Sequence, residues 1–273
     1  MNPRPLTAFN KLRFTGRMSP LLDVAKYLVV IAALTWLMIN GTERLGYSWQ
    51  WYRIPRYIFS FTDGQFTAGL LIEGLMITFR ITVISLFLAF AFGLVSALMR
   101  LSDSIVAKII ARVYLETIRN TPLLVQLFFI YFVLSPILDI SAFSSAFLAL
   151  SLFEGAYASE IFRAGIISVY RGQWEAAFSL GLNTYQTYRF IILPQAIRRI
   201  LPPLTSQAVS LIKDSALVST IAIFDLTMQG QAIIAETFLV FEVWFTVAAI
   251  YLCITLVLSF AVNFMEKRLR VET

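Results

Sequence analysis

Six stretches of mostly apolar residues, each long enough to cross a bilayer core as a helix, constrain this chain more than any other feature. They run from Leu21 to Ile39, Ile81 to Met99, Val113 to Leu134, Ala142 to Phe162, Pro203 to Phe224 and Val243 to Met265, with a half-polar lead-in, Phe66 to Arg80, before the second. Since 59% of residues are hydrophobic and only 14% charged, the expected fold is an all-α polytopic integral membrane protein solvated mainly by lipid. A cleaved signal peptide is the other reading of the first run. No small-residue cleavage site follows Leu37-Met38-Ile39-Asn40, which favours a retained anchor.

The net charge of +6 suggests nucleic acid only when it gathers on a soluble basic face, and here the cations flank the apolar runs. Arg4, Lys11, Arg13, Arg17 and Lys26 precede the first run. Arg100, Lys108 and Arg112 follow the second, Arg171, Arg189, Arg198 and Arg199 follow the fourth, and Lys267, Arg268 and Arg270 follow the sixth. The opposite loops hold Arg44, Arg53 and Arg56 and then only acidic residues, so both termini are expected on the cytoplasmic side. The outer loop Gly41 to Gly64, with Trp49, Trp51, Tyr52 and Tyr57, reads as an interfacial aromatic belt. With no His and one Cys, Cys253, in an apolar run, an intrachain disulfide is excluded and neither a metal site nor a catalytic centre is expected.

One polar-studded passage, GQWEAAFSLGLNTYQTYRFIILPQ, falls on the predicted cytoplasmic face. Gln173 to Leu180 has helix-forming residues, with Trp174, Ala177 and Phe178 on one side, and Gly181 stands where a left-handed residue closes a helix. Asn183 and Gln186 have the spacing of a capping box, and Pro194 is expected to end the second helix at Ile192 or Leu193. Such a hairpin suits either the lipid interface or the groove of a partner protein. The small surface of Ala176 and Ala177 beside Glu175 favours the groove.

Ionisable groups at membrane depth usually mark a substrate or ion route. Lys213 and Asp214 fall at the centre of the fifth run; being adjacent, they diverge by about 100° and each needs another partner. Glu154 is available to Lys213. A fixed interior ion network that also includes Glu160 and Arg163 is the competing reading. Arg80 either snorkels outward or steers an anion, and Gln126 either bonds a substrate or ties helices together. Pro122 is expected to kink the third run.

Glu175-Ala176-Ala177, then Gly181, then Ile192-Leu193-Pro194 resembles the EAA loop of ATP-binding-cassette (ABC) importer permeases. Residues 119–126 (RNTPLLVQ), 156–163 (AYASEIFR), 172–177 (GQWEAA) and 213–217 (KDSAL) are similar to the polar amino acid uptake permeases of that superfamily, across about residues 66–270. Phe178 and Ala164 depart from the pattern. The resemblance implies a five-helix type I importer permease core at 66–270, with a coupling loop at about 170–200, preceded by an extra span and loop in 1–65. It implies that Glu175, Ala176, Ala177 and Gly181 meet an ABC ATPase subunit, which binds the ATP and Mg. This chain has no GxxxxGK[ST] loop and no cofactor of its own is expected. The implied partners are a second permease copy or a paralogous permease, an extracytoplasmic amino acid binding protein and membrane lipid, in a bacterial cytoplasmic membrane. Lys213, Asp214, Glu154, Gln126 and Arg80 are the substrate-path candidates, and Arg80 with Lys213 leans the substrate toward acidic amino acids. The alternative is an ATP-independent secondary transporter, which more often shows inverted repeats.

Overall fold

The computed structural model describes residues 20–62 and 65–269. Arg4, Lys11, Arg13, Arg17 and Arg270, which contribute to the expected orientation, lie outside them. The chain divides into two compact units, Met1–Gln50 and Trp51–Thr273. In the first, α1 (Pro20–Arg44) carries the first apolar run as one helix and ends at Gly46, whose φ of 65° closes it.

The second unit begins with a 3-10 turn (Trp51–Arg53), α2 (Pro55–Ile58) and an antiparallel hairpin of β1 (Phe59–Thr62) and β2 (Gln65–Ala68), paired from Phe59↔Ala68 to Thr62↔Gln65. The sequence reading contained no strands here. Tyr57 does not join an aromatic belt but is buried with Ile54, Leu71, Leu226 and Val243. Trp51 and Tyr52 stay exposed. Gly69 is required where β2 passes α2, because a Cβ there would lie 2.4 Å from the Tyr57 carbonyl.

The lead-in and second run form one helix, α3 (Leu70–Leu101), whose 32 residues extend about 48 Å. The third run is broken rather than kinked. α4 (Ile105–Arg119) turns by 106° into a segment made of α5 (Leu123–Phe128), a π-helical stretch (Phe129–Leu134) and α6 (Ser135–Leu138). Pro122 lacks an N–H and sits extended at ψ 140°, so the chain leaves the helix for the length of Asn120 to Pro122 and restarts. α7 (Ala142–Ile167) holds the fourth run.

α8 (Arg171–Ser179) and α9 (Thr184–Gln186) form the expected hairpin, yet Pro194 does not end its second arm. A π-helical stretch (Thr187–Ile192) widens the turn ahead of Pro194, and the chain runs on as α10 (Leu193–Asp214). The same device precedes Pro136 in α6. In both places i→i+5 bonding leaves room for a ring that would clash with the carbonyl four residues back.

The fifth run is also divided. α10 stops at Asp214, and a 3-10 helix (Ser215–Ile221) follows, closed by Ala222 at φ 58°. Ser215, Ser219 and Thr220 each donate to the carbonyl three residues back, the spacing of the 3-10 turn itself. A helix absent from the sequence reading, α11 (Leu226–Thr237), precedes α12 (Val240–Leu269).

Among the described residues, α1, α3 and α12 are by themselves long and apolar enough to cross a membrane, and the bent pair makes a fourth. α7 and α10, at 26 and 22 residues, are long enough to be the remaining two of six, but carry more polar groups. The polar groups are turned inward: Ser145, Ser151, Glu154 and Ser159 of α7 are all buried.

α3 and α7 form the principal helix pair. Small residues bring them together: an added Cβ on Gly93 would meet the Ala158 Cβ at 2.7 Å and the Gly155 carbonyl oxygen at 3.0 Å. In lipid, where apolar surface gains nothing by leaving hydrocarbon, such backbone proximity and its dispersion contacts replace the hydrophobic drive. Asp225 caps α11 by accepting from Met228 N at 2.8 Å, while Leu226 N donates to Thr78 Oγ1 of α3 at 3.2 Å. The second bond ties the start of α11 to α3.

Candidate functional site

The α8–α9 hairpin is a firmly built surface. α8 ends in a complete Schellman motif, with Leu182 N donating to Ala177 O at 3.1 Å, Gly181 N donating to Phe178 O at 3.0 Å, and Gly181 at φ 77°. The capping box is present in full: Gln186 N donates to Asn183 Oδ1 and Asn183 N to Gln186 Oε1. Ala177 is buried and the Trp174 ring meets that of Tyr188 edge-on at 5.0 Å, which seats α8 on the π-helical stretch. Glu175, Ala176 and Gly181 are exposed. Phe178, read from the sequence on the same side as Trp174 and Ala177, is half exposed whereas Ala177 is buried. Phe178, Leu180 and Tyr185 are exposed apolar side chains of the same hairpin, and among the described residues Glu175 pairs with the exposed Arg171 at 3.1 Å.

From this seat α10 extends about 33 Å into the helical body. At its start Gln195 Nε2 donates to Gln173 Oε1 of α8 at 3.3 Å, and Arg199 donates to the Ser168 carbonyl at the end of α7. Gly165 of α7 lies directly against Ile200. Pro202 and Pro203 interrupt its ladder, and Thr205 Oγ1 donates to the carbonyls of Leu201 and Pro202. Beyond them Gln207 donates to Glu154 Oε2, and the Asp214 carboxyl lies beside that of Glu154.

This geometry corrects one expected pairing. Glu154 meets Gln207 and Asp214, not Lys213, because the inner face of α10 repeats every seven residues from 207 to 214 and leaves 213 pointing away. Lys213 is exposed at the C-terminal turn of α10 and reaches Asp214 only electrostatically. Among the described residues no group donates a hydrogen bond to the buried Glu154 Oε1. Such an unfilled acceptor at membrane depth is costly, and a bound ligand or water would relieve it.

The other two candidates lie elsewhere. Gln126 donates to Ile118 O at 2.7 Å, Thr121 O at 3.0 Å and Thr121 Oγ1 at 2.8 Å, so its amide satisfies the carbonyls released at the α4–α5 break. Its Oε1 is buried without a partner. Arg80 is exposed on α3 among Phe79, Val83, Ile84 and Phe143, in no ion pair among the described residues.

Glu160 and Arg163 do form an ion network, but without Lys213 or Asp214. Glu160 accepts from Arg100 at 2.7 Å, Arg119 at 3.2 Å and Arg163 at 3.0 Å, joining α3, α4 and α7. Sequence reading missed Gln207, whose signal is its two-turn spacing before Asp214. It also missed Arg100 and Arg119 as partners of Glu160, since no local pattern links positions so far apart.

A sequence model of the family described as "Binding-protein-dependent transport system inner membrane component" matches residues 89–271. The chain is 42% identical to the glutamine transport system permease protein GlnP of Escherichia coli (strain K12), across 74% of this chain and 94% of that one. It is 40% identical to the L-cystine transport system permease protein TcyB of Bacillus subtilis (strain 168), across 72% and 85%. A solved structure of an amino acid ABC transporter with histidines matches at a TM-score of 0.69 and 41% identity, over 73% of this chain and 94% of that one. The inward-facing MetNI methionine ABC transporter matches in fold at a TM-score of 0.62 and 20% identity, over 74% and 97%.

Proposed function

This chain belongs to the family of binding-protein-dependent transport system inner membrane components, and on that premise we propose that it is the permease subunit of an ATP-driven importer for a polar amino acid. It lies in the cytoplasmic membrane with both termini inside, and a separate ATPase, which holds ATP and Mg, docks on α8. The carrying observation is the continuous path from Glu175 on α8, through Trp174 and Tyr188, along α10 to Gln207 and Asp214 beside Glu154. A displacement of α8 acts on one end of this path, and the polar cluster stands at the other.

Docking through Glu175, Ala176 and Gly181, seated on the buried Ala177, fits a rigidly capped helix that exposes the Arg171–Glu175 pair beside small and apolar side chains. A second permease, identical or paralogous, completes the path, and an extracytoplasmic binding protein delivers the substrate. The relatives named for glutamine and cystine, together with two carboxyls and an amide at Glu154, Asp214 and Gln207, favour a substrate whose side chain is polar without net charge. An acidic substrate is the second reading, favoured by the exposed cations Lys213 and Arg80, neither of which forms a salt bridge among the described residues.

Uptake of labelled glutamine, cystine and glutamate into cells expressing the whole transporter tests this reading. Glutamine or cystine uptake that stops with Glu154→Leu supports it. ATP-independent uptake would replace it with a secondary transporter, and uptake of glutamate alone would select the acidic substrate.

A further inference from the structure

We propose that the basic pocket between α3, α4 and α7 holds the phosphate of an anionic phospholipid, whose acyl chains lie along the exposed apolar face of α4. The pocket has a volume of about 270 Å³ and is lined by five cationic side chains against two carboxylates. Glu160 alone faces Arg100, Arg119 and Arg163 and balances one of the three. Glu116 is engaged by Asn120 Nδ2 at 2.9 Å. Lys108 and Arg112, one turn apart on α4, have no hydrogen bond or ion pair among the described residues. A net +3 beside hydrocarbon attracts an anion strongly, because charge there is poorly screened by water.

The neighbouring surface identifies the source of that anion. Ile105, Val106, Ile109, Ile110 and Val113 of α4 are 54–73% exposed. Tyr114 Oη donates to Leu152 O of α7 at 2.6 Å, and Ala111 and Leu115 are buried, which fixes which face of α4 turns outward. One short helix therefore places an apolar strip next to a basic edge, the arrangement that takes acyl chains and an anionic headgroup together. A free anion needs only the pocket. An acidic protein segment would leave the apolar strip uncovered.

The test uses the whole transporter purified in mild detergent, with phosphatidylglycerol and phosphatidylethanolamine as probes and native mass spectrometry as readout. Wild type should retain phosphatidylglycerol in preference to phosphatidylethanolamine, and the double variant Lys108→Gln/Arg112→Gln should retain roughly thirtyfold less, as expected for two lost surface charges. Ile109→Ser/Val113→Ser should also weaken retention. Inorganic phosphate at millimolar concentration should not displace the lipid. Equal retention by the charge variant would overturn the proposal, as would displacement by inorganic phosphate with no effect of the apolar variant. Loss of another protein subunit from the charge variant would assign the pocket to that subunit, and a lowered melting temperature would assign both cations to the fold itself; either result also overturns it.

Discussion

Glu154 on α7 accepts a hydrogen bond from Gln207 on α10, and Asp214, two turns further along α10, brings a second carboxyl to the same point. Two helices that meet closely at Gly165 and Ile200 near the α8–α9 hairpin thus meet again through polar groups deep in the body. Gln207→Leu removes the donor and leaves Glu154 with both oxygens unpaired, so stability should fall by about 1–3 kcal/mol and uptake should stop. Glu154→Gln preserves an acceptor for Gln207 and should hold stability within about 1 kcal/mol while still impairing uptake. Thermal unfolding in detergent alongside an uptake assay separates the two effects.

The α3–α7 contact has no spare volume at Gly93. Gly93→Leu forces a side chain into the Ala158 Cβ and the Gly155 carbonyl and should cost at least about 1–3 kcal/mol, with a matching loss of monodisperse protein on gel filtration. The neighbouring exposed Leu94→Ala should leave the profile unchanged.

How far the fold could be read from sequence depends on whether its determinants are local. Gly181, Asn183 and Gln186 act within five residues of one another, and the hairpin they predict is found with its caps intact. Pro122 and Pro194 announce disruption but not its form: one opens a 106° corner, whereas the other is absorbed by a π-helical stretch and the helix proceeds. That choice depends on what the freed carbonyls meet, and Gln126 is near the first. Glu160 and Arg163, three residues apart, were legible as a pair, whereas the partners Gln207 of Glu154 and Arg100 and Arg119 of Glu160 lie 41 to 60 residues away and are set by helix packing, so sequence identified the groups but paired Glu154 wrongly.

Gln126 holds the α4–α5 corner through its side-chain amide. Gln126→Leu removes those bonds at nearly equal size, and the backbone amides of residues 118–126 should exchange hydrogen faster by about tenfold, consistent with one to two lost hydrogen bonds. Unchanged protection there would show that the corner is held by Pro122 alone.

Asp225 caps α11 and its second carboxylate oxygen lies 3.5 Å from Tyr251 Oη of α12. Asp225→Ala should destabilise by about 0.5–2 kcal/mol for the cap. Tyr251→Phe should cost less, because the cap survives. Chemical denaturation of the purified protein orders the two variants.

The measurement that most directly tests coupling through α8 is co-purification of the transporter from native membranes in mild detergent, comparing wild type with Glu175→Lys and Arg171→Ala. Both side chains of that ion pair are largely exposed, so neither change should alter the fold, and Arg171→Ala should retain its partners. The account predicts that an ABC ATPase elutes with wild type and Arg171→Ala and is lost from Glu175→Lys. Recovery of equal ATPase with Glu175→Lys, or of none with the intact wild type, would contradict it and return the hairpin to the lipid interface.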